Sequence, residues 1–125
     1  MGRLRIDRLT GPPAPLSADG RVIAARCYLG RRVLARLVGL LGTPDLGPDE
    51  ALWIEPCGSV HTIGLRASIG VAFVDASGRV LRVVDPLPRG RLAAARGARA
   101  VVECHAGTLA RVAPGAVLAV GGEQP

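Results

Sequence analysis

The sequence predicts a mainly β protein of the α+β class, with a compact barrel-like or sandwich-like sheet and one short amphipathic helix packed on it. Three observations predict this fold. The second half contains several short apolar runs separated by Gly, Pro and Ser. Two of these runs flank a turn signal typical of a hairpin. One segment alone has the 3.6-residue periodicity of a helix. A chain of 125 residues is about one domain, so 1–125 is predicted to form a single unit.

The predicted strands are short. The first follows a loop at residues 10–20 that contains three prolines, and it covers residues 21–29. Residues 1–17 are interpreted as an N-terminal strand and a Pro-rich loop. The other predicted strands are ALWIE (51–55), IGVAFVD (69–75), RVLRVVD (79–85), ARAVVECHA (98–106) and AVLAV (116–120).

The predicted helix covers residues 30–41. Its apolar positions follow the i, i+3, i+4, i+7 spacing of one helix face, with Arg32 and Arg36 at the flank of that face. Gly42 and Pro44 are residue types that end helices. The apolar face consists of Val33, Leu34, Leu37, Val38 and Leu41.

The clearest local signal is a hairpin between residues 71 and 85. Gly78 can supply the positive φ that a short hairpin loop needs, and Asp75 is placed to accept an Asx-type bond from the turn backbone. The chain has three aromatic residues, so its core is expected to be aliphatic. One core is predicted to contain Val71, Phe73, Val80, Val83, Val101 and Leu118.

Charge and composition restrict the classes of partner. The net charge is +6, from 16 Arg against ten acidic residues, with no Lys. Net charge alone does not specify a partner. Nucleic acid is the least favoured partner, because a single-strand binder needs stacking aromatics among its cations. No apolar run approaches the roughly 18 residues that span a bilayer, so no membrane span is expected. Three cysteines without a CxxC pair favour a reducing compartment, and cytoplasmic location is expected.

Residues 57–75, CGSVHTIGLRASIGVAFVD, contain the side chains best suited to metal binding or catalysis. Cys57 and His61 could share a metal with Cys104 or His105, but adjacent strand residues point to opposite faces, which leaves three ligands at most. A structural zinc site needs four ligands, so no metal or other cofactor is predicted. Cys57 with His61 is also the one plausible nucleophile and base, although no third residue orients the pair.

Three ordered blocks resemble a known family: LARLVGLLG, then PCGSVHTIGLRASIGVAFVDASGRVLRVV, then ARAVVECHAGTLARVAPGAVL. They resemble domain-of-unknown-function family 192, also called uncharacterised protein family 0127, over roughly residues 18–120. The resemblance implies a compact β-rich domain with one helix on the sheet. It implies no established activity. Relatives encoded near pilus or secretion genes imply an accessory context.

The resemblance can also be followed position by position along the chain. The positions of this chain that match the family pattern are Arg36, Gly39, Leu40, Gly42, Cys57, His61, Thr62, Gly64, Arg66, Ile69, Val71, Phe73, Asp75, Gly78, Glu103 and Gly107. The chain departs from the pattern at Leu65 and Ser68, and at Gly70 and Ala116, where the family has aspartates. Any shared chemistry that used those two carboxylates is therefore in question.

The candidate site is a small polar pocket that combines side chains of the loop after Cys57, the predicted helix and the late strand. Two arginines near backbone amides suit a small anionic ligand or a peptide carboxylate. In a purely structural alternative, the arginines pair with Glu103 or Asp75, and the loop side chains bond backbone. The leading function is a non-enzymatic binding or accessory module, and the alternatives are a small hydrolase-like enzyme and an Arg-mediated nucleic-acid binder. The residues predicted to bind the ligand are Arg36, His61, Thr62, Arg66 and Glu103.

Overall fold

The computed structural model describes residues 12–30, 46–63, 65 and 67–121. These residues form two sheets, one of seven strands and one of two. The strands are β1 (Ala14–Ala18), β2 (Arg21–Gly30), β3 (Glu50–Ile54), β4 (Ser59–His61), β5 (Ile69–Val74), β6 (Val80–Leu87), β7 (Leu92–Ala94), β8 (Ala100–His105) and β9 (Leu118–Val120).

The large sheet has the order β6-β5-β8-β3-β2-β1-β9 and is antiparallel except where β2 pairs with β3. It curls, because the start of β6 also bonds the segment that precedes β9. Arg79 forms a bridge with Val117, and the amide of Val80 donates to Ala116 O at 2.8 Å. The two ends of the strand order therefore meet, and the sheet is a half-barrel. The small sheet consists of β4 and β7.

The apolar core is divided by the large sheet into separate clusters. Val80 and Leu118 are buried on the inner face of the half-barrel, and Val83 packs against the same cluster. Val71 and Phe73 belong to a second cluster. The predicted single core is therefore wrong, because alternate residues of a strand point to opposite faces and both faces of this sheet are covered. The second cluster also contains Val101, Leu87, Ile69 and Ala93.

Most strand predictions are confirmed, including β2 and the later strands of the large sheet. The predicted loop at 10–20 is wrong in part, because β1 lies within it and pairs with β2 and β9. The three-residue strands β4 and β7 were not predicted. The described residues contain no helix, and hence none long and apolar enough to cross a membrane. Gly30 ends β2, and the remainder of the helix predicted for 30–41 lies outside the described residues.

The β5–β6 hairpin forms as its turn residues predict. Asp75 Oδ1 accepts hydrogen bonds from the Ser77 amide at 2.9 Å, the Ser77 hydroxyl at 2.7 Å and the Arg79 amide at 3.0 Å. These bonds hold the pKa of the Asp75 carboxyl below its usual value. Gly78 has φ +87°, and a Cβ there would lie 2.6 Å from Leu118 O. Both the Asx-type bond and the need for glycine are confirmed.

Truncation of Phe73 tests the second cluster. Phe73 is fully buried, so Phe73→Ala should lower the free energy of unfolding by about 3–5 kcal/mol, through lost transfer energy and a residual cavity. Urea denaturation of both proteins measures the difference. Val22, which is 55% exposed, provides the control, because Val22→Ala should change stability by less than about 0.5 kcal/mol. A loss below about 1 kcal/mol for Phe73→Ala would contradict this packing.

Candidate functional site

The predicted site residues fall in different layers of the molecule. His61 is the last residue of β4 in the small sheet, Thr62 follows it, and Glu103 lies on β8 of the large sheet. No hydrogen bond or ion pair among the described residues joins these three to one another. Arg36 and Arg66 lie outside the described residues. The anion pocket that would unite all five stays a prediction.

Thr62 is fully buried, and its polar groups bond the turn that precedes β7. Its hydroxyl donates to Pro88 O at 2.6 Å and accepts from the Arg91 amide at 2.8 Å. Its own amide donates to Arg91 O at 2.8 Å, and its carbonyl accepts from the Gly90 amide at 3.0 Å. These bonds satisfy the buried threonine and fix residues 88–91 against the end of β4.

His61 lies on the outward face of the small sheet. Val60 packs against the cluster around Phe73, so its neighbour His61 points to the opposite face. Leu92 is directly across from His61 in the β4–β7 pairing and is 75% exposed. Ile63, two residues after His61, is 62% exposed. His61 is therefore bordered by two large apolar side chains that face solvent.

Three exposed arginines lie on either side of β7 in the chain. Arg89 and Arg91 precede β7, and Arg96 follows it. Their side chains have no hydrogen-bond or ion-pair partner within the part of the chain that the structure describes. Arg99, by contrast, contacts Glu55 at 3.2 Å. We call the set of His61, Ile63, Arg89, Arg91, Leu92 and Arg96 the small-sheet surface.

Glu103 has a different environment. It is half-buried on β8, with Leu52 opposite it on β3 and Val71 opposite it on β5. Within the described residues its side-chain carboxyl has no hydrogen-bond or ion-pair partner. Burial disfavours the ionised form and raises the pKa of Glu103 to about 7. This carboxyl therefore exchanges its proton near neutral pH.

The raised pKa of Glu103 makes stability depend on pH. Between the usual carboxyl value of about 4.5 and the native value of about 7, the unfolded chain is ionised while the native protein keeps the proton. Stability contributed by this group is complete below the lower value and is lost as pH rises towards 7. Glu103→Gln should remove that decline, which is on the order of 2–3 kcal/mol. Urea denaturation at pH 4.5, 6 and 7.5 measures it. If the free energy of unfolding falls equally with pH in both proteins, the raised pKa of Glu103 is contradicted.

Asp85 holds the loop after β8. Its Oδ1 accepts from the Gly107 amide and its Oδ2 from the Leu109 amide, both at 2.8 Å. A Cβ at Gly70 would lie 2.6 Å from Asp85 Oδ2, so the carboxylate occupies the space beside the glycine. Position 70 is one of the two at which the family resemblance leads us to expect aspartate. In this chain, a carboxylate from the neighbouring strand β6 fills that space.

Substitutions at these two positions should be coupled. Gly70→Ala should destabilise the protein, because the new Cβ would displace a carboxylate that holds two amides. Asp85→Ala should cost about 2–4 kcal/mol through the loss of two charge-assisted bonds. In the Asp85→Ala background, Gly70→Ala should cost at least about 1 kcal/mol less than in the parent. A double-mutant cycle by urea denaturation measures this difference, and strict additivity would contradict the close approach.

The cysteines and histidines do not converge. Among the described residues, no three His, Cys, Asp or Glu side chains are placed to hold a metal ion. Cys104 is fully buried while the adjacent His105 is exposed, which confirms the predicted alternation. Burial raises the pKa of the Cys104 thiol. The Cys57 thiol donates to Ser59 O at 3.1 Å.

The family model for DUF192, described as an uncharacterised ACR, matches residues 15–120. The chain belongs to this family.

Two solved structures are similar to this DUF192 protein. A protein of unknown function from Novosphingobium aromaticivorans is 20% identical with a TM-score of 0.65, and the match covers 86% of this chain and 83% of that one. A putative transcription regulator from Sinorhizobium meliloti is 18% identical with a TM-score of 0.61, covering 77% and 81%. At these identities the likeness shows the fold alone. Comparison with curated proteins finds no match.

Two features of this DUF192 chain were not predicted from its sequence. The arginines of the small-sheet surface come from the segment RGRLAAARGAR (89–99), which contains four arginines and was a visible signal. Their arrangement around β7 was not visible, because a strand of three residues is too short to show a period. The backbone bonds of Asp85 had no local signal, since their partners lie more than 20 residues away.

Proposed function

We propose that this DUF192 protein is a binding module without catalytic activity, and that it takes an anionic partner on the small-sheet surface. One observation carries the proposal. Arg89, Arg91 and Arg96 are exposed and lie on either side of the exposed Leu92 in the chain, and none of them has an acidic partner within the described residues. A cationic rim around an exposed apolar centre is typical of a surface that contacts another molecule.

The chemistry of arginine favours carboxylate or phosphate ligands. Each guanidinium presents a planar fork of donors that can bond two oxygens at once. Arg89 and Arg91 are two residues apart and carry the same charge, and an anionic partner would relieve the repulsion between them. Leu92 and Ile63 would add apolar contact, which a simple inorganic ion cannot use. The partner class supported best is an anion with an apolar part.

We assign the arginines of the predicted pocket to the small-sheet surface. Arg66 lies three residues after Ile63 in the chain, and we propose that it adds charge to the small-sheet surface. We also propose that residues 31–41 form the amphipathic helix and that its Arg36 extends the same cationic region. Thr62 would support the surface by holding residues 88–91, without contacting the ligand. The proposed setting is an accessory role in the cytoplasm.

A matched pair of double variants tests the proposal. The probe is a fluorescein-labelled peptide of alternating Glu and Leu, titrated at low salt because such contacts are screened. Arg89→Ala/Arg91→Ala should weaken binding at least tenfold, about 1.4 kcal/mol. Arg21→Ala/Arg111→Ala removes the same charge from exposed positions elsewhere and should change Kd less than twofold. Both variants should keep the parent melting temperature, since exposed arginines contribute little to stability.

Two outcomes would refute the proposal. Equal weakening by the two double variants would mean that net charge alone attracts the peptide. If the parent protein binds neither this peptide nor a phosphorylated peptide of the same length, the surface does not take anions.

Glu103 favours a second candidate function, a small hydrolase-like enzyme. A carboxyl with a pKa of about 7 is suited to proton transfer at neutral pH. An ester and amide substrate screen tests this candidate, with Glu103→Gln as the matched variant. Turnover that is abolished by Glu103→Gln and rises with pH around 7 would support general-base catalysis. Turnover unchanged in Glu103→Gln would exclude a role for this carboxyl.

A further inference from the structure

We infer that the partner is an extended acidic peptide that adds a third strand to the outer edge of β4. This inference rests on the proposed function, because it specifies which anionic partner the small-sheet surface takes. The observations behind it are the hydrogen-bond pattern of β4, the absence of a further strand on its outer side in the described residues, and the unpaired arginines beside it.

The backbone pattern shows which groups of β4 point outward. Val60 is the partner of Ala93 in the β4–β7 pairing. On either side of it, the Ala95 amide donates to Gly58 O and the Thr62 amide donates to Arg91 O. Bonds to one neighbour recur at every second residue of an antiparallel strand. Residues 58, 60 and 62 therefore bond towards β7, and Ser59 and His61 direct their amides and carbonyls to the opposite edge.

That edge is open in the described residues. The small sheet contains only β4 and β7, so no described strand lies beyond β4. The amide and carbonyl of His61 have no hydrogen-bond partner there. Ser59 O accepts the Cys57 thiol at 3.1 Å, and a thiol is a weak donor that a peptide amide can replace. An unpaired strand edge of this kind is a template for another chain.

The side chains favour an acidic peptide over other polyanions. A strand on this edge would run beside His61, one strand spacing, about 4.8 Å, from β4 and two spacings from β7. Its outward side chains would contact His61 and Ile63, and long carboxylate side chains towards its ends would extend across β4 towards Arg91 and Arg96. Nucleic acid could neutralise the arginines, but its backbone does not offer amides and carbonyls in register with β4. An anionic membrane surface likewise has no group that matches this edge.

Backbone methylation of the probe tests strand addition directly. Two versions of the Glu-Leu peptide are N-methylated on alternate amides, one on the Glu residues and one on the Leu residues. The charge and side chains are unchanged. Since the side-chain faces fix which amides meet β4, one version should bind at least tenfold more weakly and the other within about threefold of the parent peptide. Binding of the parent peptide should also slow hydrogen exchange of the His61 amide at least tenfold.

The results separate the inference from the proposed function. Equal binding of both methylated peptides, with unchanged exchange at His61, would overturn strand addition while the anionic surface stands. Failure of every anionic peptide to bind would overturn the proposed function as well. Two further probes are a single-stranded oligonucleotide and phosphatidylserine vesicles. If either one binds more tightly than the peptide, with the same dependence on Arg89 and Arg91, the partner is nucleic acid or an anionic membrane and not a peptide. His61→Ala keeps the backbone and should retain binding within about threefold.

Discussion

The β5 strand is buried along its whole length, and this burial on two sides is the constraint on which the rest of the structure depends. All six residues from Ile69 to Val74 are buried. A strand with both faces apolar must lie between two layers. Curling of the large sheet supplies one layer, because it encloses Val74 and Ala72 within the half-barrel. The small sheet supplies the other, because Val60 and Ala93 pack on the face that carries Phe73.

The charge state of each carboxylate near the central strands depends on whether it has a hydrogen-bond partner. Asp75 and Asp85 accept backbone amides, and each fixes a connection, the hairpin turn or the loop after β8. Glu103 has no such partner in the described residues, and burial instead raises its pKa to about 7. A buried polar group must be paired or must lose its charge. The first two carboxylates stabilise the fold, and the third is available for proton exchange.

The small sheet combines a structural side and an exposed side within three residues. Val60 faces the core, and Thr62 is buried with its hydroxyl bonded to the turn at 88–91. Between them, His61 faces outward beside Leu92. Because the inward residues are held so closely, the arginines on either side of β7 project from a fixed support. This division between packing and display is the basis of the proposed binding surface.

The sequence by itself determined the β class, the hairpin with Asp75 and Gly78, and the family. These features depend on local signals: alternation along a strand, a turn that needs positive φ, and ordered blocks of residues. It also predicted that the side chains of His61 and Thr62 bond the loop backbone, which is confirmed for Thr62. It did not show that they have opposite roles, because a three-residue strand carries too little pattern to assign its faces.

Tertiary structure decided the rest. The division of Val71 and Val80 between two faces depends on which layers cover the sheet, and no single strand contains that information. The approach of Asp85 to Gly70, and of Thr62 to Arg91, joins residues that lie 15 and 29 positions apart. Contacts at that separation are set by the order and curl of the strands, which arise from packing of the whole chain and not from local preference.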